Sequence, residues 1–208
     1  MKEKHQQDLA QIRSMMERSS RFISLSGASG IGAGMTALAG AGVAYYLFRS
    51  NNIDYFDGKR NIYSQELINQ FIVLAAVVLV AALSTIIYFT IRKSKKNNLT
   101  IWNKTTKNLL SALFVPLITG GLFCIALLYH GLFYLLAPAT LIFYGLSLVN
   151  ASKYTYGDIK NLGYVEIALG IITSFFVGYG LVSWAIGFGL LHIIYGVVMY
   201  KKYEKVNE

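Results

Sequence analysis

Charge is scarce in this chain, and acid is scarcest. Only 14% of its 208 residues are charged, where a soluble domain carries roughly a quarter. Hydrophobic residues make up 55% and gather in long runs. That pattern argues against one large soluble core and for membrane spans. The single cysteine, Cys124, excludes an intramolecular disulfide. It lies inside an apolar run, where a packed and inert thiol is expected. One cysteine and three scattered histidines, His5, His130 and His192, cannot form a zinc-binding spacing. No metal site or cofactor is expected. Acids number 10 against 19 Lys and Arg. Such a balance suits nucleic acid only on a soluble basic surface, and no basic stretch lies on one. In a membrane protein it marks cytoplasmic loops, so the bilayer is the expected partner and nucleic acid is not.

The apolar runs predict an all-α membrane protein with six transmembrane helices, at about 22–48, 68–91, 109–129, 132–149, 162–180 and 182–200. Each is near the ~20 residues that cross ~30 Å of hydrocarbon. The minimal turns HG and YGL predict tight hairpins, three in all. Residues 1–21 form a cytoplasmic amphipathic segment: Leu9, Ile12, Met15 and Met16 share one face, and Asp8, Arg13, Glu17 and Arg18 lie away from it. It has three possible seats: the inner leaflet, the protein's own cytoplasmic face, or a partner. Residues 201–208 form a short tail.

The loops set the expected orientation. Sixteen Lys and Arg fall on the side of both termini, and only Arg49, Lys59 and Arg60 on the other. By the positive-inside rule both termini are cytoplasmic. The cluster RKSKK at 92–96 is a topology signal that could also meet anionic headgroups. A cleaved signal peptide competes at Ala37-Leu38-Ala39, but the apolar run continues past it through VAYYLF.

The stretch SGASGIGAG, 26–34, looks like the cofactor loop of short-chain dehydrogenases, and Tyr156-Gly-Asp-Ile-Lys160 matches that family's Tyr-x-x-x-Lys. Asp54 lies where a ribose-binding acid would sit. However, Gly27, Gly30 and Gly32 are one residue too closely spaced. The run also sits inside a continuous apolar segment, where no βαβ unit can form. Small residues recur every four positions instead, as Ser26, Gly30 and Gly34 and as Ala28 and Gly32. Such a face lets helix backbones approach closely. Its partner is either another span of the same chain or a second protein, as a homo-oligomer or a membrane-protein complex.

Ionisable residues inside spans are functional candidates. Glu166 lies one turn into the fifth span and His192 about eight residues from the cytoplasmic end of the sixth. A contact between them would relay a proton or bind a cation. The structural alternative has Glu166 snorkelling to Lys160 or Lys153, and His192 hydrogen-bonded within the bundle. Tyr144, Tyr164 and Tyr195 are available hydroxyl partners. Pro116 and Pro138 are expected to interrupt the third and fourth helices and to free carbonyls. HGL at 130–132 followed by Tyr144-Gly145, and YGL at 179–181 followed by Tyr195-Gly196, suggest two related hairpins. The first hairpin shows no visible match.

The run DLAQIRSMMERSSRFISLSGASG, 8–30, resembles the start of a group of small membrane proteins of Bacteroidetes-type bacteria with no assigned activity. The resemblance implies a multi-span inner-membrane protein and transfers no catalytic residue. Two functional readings follow. The first is a non-enzymatic accessory, regulatory or scaffold protein, suggested by the few buried ionisable groups and the packing-rich first span. The second is a small-solute or ion transporter using Glu166 and His192, with Tyr144 and Tyr195 nearby. An intramembrane enzyme ranks third, because no nucleophile–base set is visible.

Overall fold

The computed structural model describes Phe22 and residues 26–53, 63–97 and 101–204. The amphipathic segment, most of the outer loop and the last residues of the tail lie outside the described residues. Everything described is helix or connecting turn. The helices are α1 (Gly27–Ser50), α2 (Gln65–Lys96), α3 (Lys104–Tyr129), α4 (Leu136–Ala151), α5 (Ile159–Phe175) and α6 (Gly180–Tyr203). α4 is entered through a 3-10 turn, Phe133–Leu135, and left through another, Ser152–Tyr154. α6 begins as α-helix, widens to a π-helix over Ala185–Leu191 and resumes at His192.

Five of these helices, all but α5 and with α4 taken together with its flanking 3-10 turns as Phe133–Tyr154, are long and apolar enough to cross a membrane. α5 has 17 residues, at the lower limit for a span. It stops at Phe175 rather than near residue 180. Thr173 and Ser174 turn their hydroxyls back onto the Leu169 and Gly170 carbonyls.

Helix ends follow local chemistry. Ser26, Ser64 and Asn103 accept N–H bonds from the first turns of α1, α2 and α3, meeting donors that the helix leaves orphaned. Gly131 ends α3 at φ 70°. There the Leu132 N–H reaches the Leu127 carbonyl at 2.8 Å and the Gly131 N–H the Leu128 carbonyl at 3.0 Å, a Schellman closure that favours glycine. Asn52, at φ 56°, closes α1 the same way.

The two prolines differ. Pro116 lies inside α3 and leaves the Ala112 carbonyl without its helical donor. The Asn150 amide of α4 supplies one at 2.9 Å. Pro138 sits in the first turn of α4, where no helical N–H is needed, so it interrupts nothing.

Packing departs from three simple hairpins. α1 packs on α2 and α3 on α4, but α5 packs mainly on α4 and α6 mainly on α1. α1, α4, α5 and α6 supply most of the buried side chains. α2 buries only Leu67 and Ser94, and its Val73, Val77 and Val80 are exposed.

The α4/α5 and α6/α1 crossings have the same register. A Cβ on Gly145 would meet the Gly163 carbonyl at 2.6 Å and the Ile167 side chain at 2.7 Å; one on Gly196 would meet the Gly27 carbonyl at 2.6 Å and Ile31 at 2.9 Å. A Cβ on Gly170 would meet Ile142 at 2.7 Å and the Pro138 carbonyl at 2.8 Å; one on Gly34 would meet Ile193 at 2.7 Å and the Gly189 carbonyl at 2.6 Å. The sequence matches this geometry. Ile142-Phe-Tyr-Gly145 recurs as Ile193-Ile-Tyr-Gly196, and Gly163-x-x-x-Ile167-x-x-Gly170 as Gly27-x-x-x-Ile31-x-x-Gly34. The Tyr-Gly repetition is therefore real in packing terms, but its unit is not a hairpin. α4 corresponds to α6, and α5 corresponds to the first helix.

Candidate functional site

The glycine face of α1 is occupied within the chain. Gly27, Gly30 and Gly34 lie against the backbone of α6, while Gly32 and Gly40 lie against Thr85 and Val78 of α2. Of the remaining small residues, Ser26 is the α1 N-cap and Ala28 donates its N–H to it at 3.2 Å.

That close approach draws the middle of α6 into the bundle, where it meets α5 and α4. Glu166 of α5 is 0% exposed and His192 of α6 is 8% exposed. Glu166 Oε1 lies 3.6 Å from His192 Nδ1, an ion-pair distance but too long for a strong hydrogen bond. His192 Nδ1 instead donates to the Gly187 carbonyl at 2.9 Å. The Tyr144 hydroxyl of α4 lies 2.7 Å from His192 Nε2. In neutral imidazole with its proton on Nδ1, Nε2 accepts from that hydroxyl; in imidazolium it donates to it.

Both Glu166 oxygens are buried with no hydrogen-bond partner among the described residues. A buried polar group left so costs about 1–3 kcal/mol, and more if charged. The expected snorkel is absent. Lys160 lies over the Tyr164 ring at 5.5 Å, and Lys153 points to Asn150 at 3.4 Å. Tyr164 is half exposed and does not join the site.

The π-helical segment makes room for the carboxyl. A Cβ on Gly187 would overlap Glu166 Oε2 and press on Leu141. π-helical bulges recur at functional sites. Aromatic rings wall the other side: Phe188 stacks on His192 with centroids 5.9 Å apart, lies 4.9 Å from Tyr144, and meets Trp184 at 5.0 Å. Gly187, Phe188 and Trp184 escaped the sequence reading. The available signal was the Gly187-x-Gly189 break in an otherwise bulky span.

Tyr195 is not part of this triad. Its ring packs on the core of Leu148, Ile159 and Leu162, and its buried hydroxyl has no hydrogen-bond partner among the described residues. It is the counterpart of Tyr144 in the repeated frame. In the same correspondence Glu166 matches Gly30, and His192 matches Leu141.

A second polar cluster ties the helix ends. Glu204 accepts from the Gly27 N–H at 2.6 Å and from Lys93 at 3.3 Å. Asp158 accepts from Lys202 at 2.7 Å and from Tyr203 at 2.6 Å. Those two bonds, that from Lys202 first, hold the Asp158 carboxyl below the usual carboxylate range.

Comparison with protein-family models, curated proteins and solved structures returned no match.

Proposed function

We propose that the chain is a six-span protein of a bacterial inner membrane with both termini in the cytoplasm, and that it is a non-enzymatic transporter of a small ion or solute with Glu166 as its proton-binding group. The observation that carries this is the enclosed Glu166 carboxyl beside His192, without a hydrogen-bond partner among the described residues, at positions where the other half of the frame uses Gly30 and Leu141. Packing alone does not require an acid there, and a buried charge is costly in a bundle that serves only as scaffold.

With α5 counted as a span, α4 and α6 run in the same direction, and so do α1 and α5. The two halves are then related about an axis along the membrane normal, and Glu166 lies at the seam between them. That arrangement accords with transporters built from parallel repeats. Two charge states fit the geometry: a neutral acid beside neutral imidazole, or a carboxylate beside imidazolium. In the second state both ring nitrogens carry protons, so the Tyr144 hydroxyl must turn from donor to acceptor. Protonation of His192 is thereby linked to the α4/α6 contact.

The accessory or scaffold reading keeps one observation in its favour. Surface grooves run between α3 and α4 and between α1 and α2, and neither is lined by Glu166 or His192. A homo-oligomer or membrane-protein partner would then use a surface other than the packed glycine face.

The test is proton uptake into proteoliposomes under a potassium diffusion potential, repeated with sodium gradients. Wild type is expected to exceed empty vesicles, and Glu166→Gln to match them. Folded wild-type protein that moves neither ion would overturn the transport reading and favour the accessory one.

A further inference from the structure

We propose that the groove between α3 and α4 seats one acyl chain of an anionic phospholipid, with the headgroup phosphate bound by Lys153. The groove is walled by Pro116 of α3 and by Phe143, Leu146 and Val149 of α4, and it ends at Asn150 and Lys153. Its shape follows from two residues. A Cβ on Gly120 would overlap Phe143, so that ring lies down against α3 and forms the groove's deep end. Pro116 frees the Ala112 carbonyl, the Asn150 amide binds it at 2.9 Å, and the Asn150 side chain is thereby fixed in direction. Its oxygen accepts from the Lys153 ammonium at 3.4 Å. The cation is held at the groove mouth with donors to spare.

Length and charge select the occupant. From Phe143 to Lys153 the groove runs about 15 Å at ~1.5 Å rise per residue. That is half of a ~30 Å hydrocarbon core, the depth of one leaflet. Lys153 belongs to the lysine-rich side of the chain, so the leaflet is the cytoplasmic one, where anionic lipids meet basic residues. An apolar channel of one-leaflet depth with an ammonium at the interface matches an acyl chain beneath a negatively charged headgroup.

This inference rests on the membrane reading, and extraction tests that first: a membrane-crossing chain stays in the pellet at alkaline carbonate and leaves it only in detergent. Purified full-length chain is then delipidated and given phosphatidylglycerol or phosphatidylcholine. Retention is read by native mass spectrometry, and the thermal midpoint is measured in parallel. Phosphatidylglycerol is expected to be retained and to raise the midpoint, with phosphatidylcholine weaker. Lys153→Ala is expected to reduce phosphatidylglycerol retention about fivefold, and Leu146→Trp to block it by filling the groove. Lys107→Ala, whose ammonium packs over Trp102 at 6.0 Å, should leave it unchanged.

Equal retention of both lipids, insensitivity to Lys153→Ala, or an equal loss in Lys107→Ala would overturn the proposal. Stabilisation by glycerol phosphate alone would also overturn it, as would a dimer that Leu146→Trp dissolves.

Discussion

Where α4 crosses α5, the Cα of Gly145 lies against the Gly163 carbonyl; where α6 crosses α1, Gly196 lies against the Gly27 carbonyl in the same register. Around these crossings the halves diverge. One half has Glu166 where the other has Gly30, and α6 has His192 where α4 has Leu141. Apart from the Tyr144/Tyr195 pair, the shared residues are small, or isoleucines that fill the gap a glycine leaves, so they serve backbone approach. Glu166 and His192 are unshared, ionisable and buried. A frame used twice thus separates the residues that hold the bundle together from its two buried ionisable groups.

The largest effects should come from breaking the shared frame, and they should be equal in the two halves. Gly163→Leu and Gly27→Leu each drive a side chain into a facing backbone that cannot move alone. Overpacking of this kind costs about 3 kcal/mol or more when backbone is in the way. Both variants should lose most of the folded fraction in a detergent thermal melt. Gly42→Leu and Gly121→Leu, which meet nothing within 4 Å, should stay within about 0.5 kcal/mol of wild type. If one half tolerates its leucine, the two crossings are not equivalent.

Next comes the difference between the halves. Glu166→Gln removes the acid but keeps the shape, and His192→Leu gives α6 the residue that α4 uses. Proton uptake should fall about tenfold or more in each, as expected for the ionisable groups of an intramembrane path. Thermal stability of Glu166→Gln should hold or rise, because a costly buried carboxyl is gone. Full uptake by Glu166→Gln would remove this glutamate from any transport role.

Much of this was legible in sequence because hydropathy and charge are local. The apolar runs give the helices, and the lysines set the expected sidedness. Glu166 and His192 sit on neighbouring helices at depths that allow contact. The choice of helix partner was not legible. Periodicity shows which face is small but not which helix fills it, and one copy of the repeated unit, α6 with α1, joins helices that are not consecutive. Gly163 and Gly27 could be matched only after α5 was seen against α4 and α1 against α6. The π-helical turn was hidden for a different reason. Glu166 Oε2 lies over Gly187 there, a long-range contact that no local propensity encodes. Pro138 misled because a proline in a first turn and one in a helix interior read alike until the helix start is known.

The two tyrosines sharpen the comparison at smaller scale. Tyr144 and Tyr195 are counterparts, but only Tyr144 bonds His192. Tyr144→Phe should destabilise by about 1 kcal/mol, the worth of a typical buried hydrogen bond. Tyr195→Phe removes a buried hydroxyl that has no hydrogen-bond partner among the described residues, and should be neutral or slightly stabilising. If both variants lose the same stability, the halves do not differ here.

The smallest effect concerns how each half ties down its rising helix. The start of α1 is held by Glu204 through the Gly27 N–H. The residue before α5, Asp158, is held by Lys202 and Tyr203. The Asp158 carboxyl is pushed below its ordinary range in the folded chain. Its contribution is therefore fully present above the unfolded value of about 3.9 and is lost as pH falls through the lower folded value. The gap in thermal midpoint between wild type and Asp158→Asn should be constant from about pH 5 to 8 and close in stronger acid. It should also be small and shrink with salt, because exposed pairs contribute little. A gap that widens on acidification would mean that the ionised Asp158 is not what holds this end of α6.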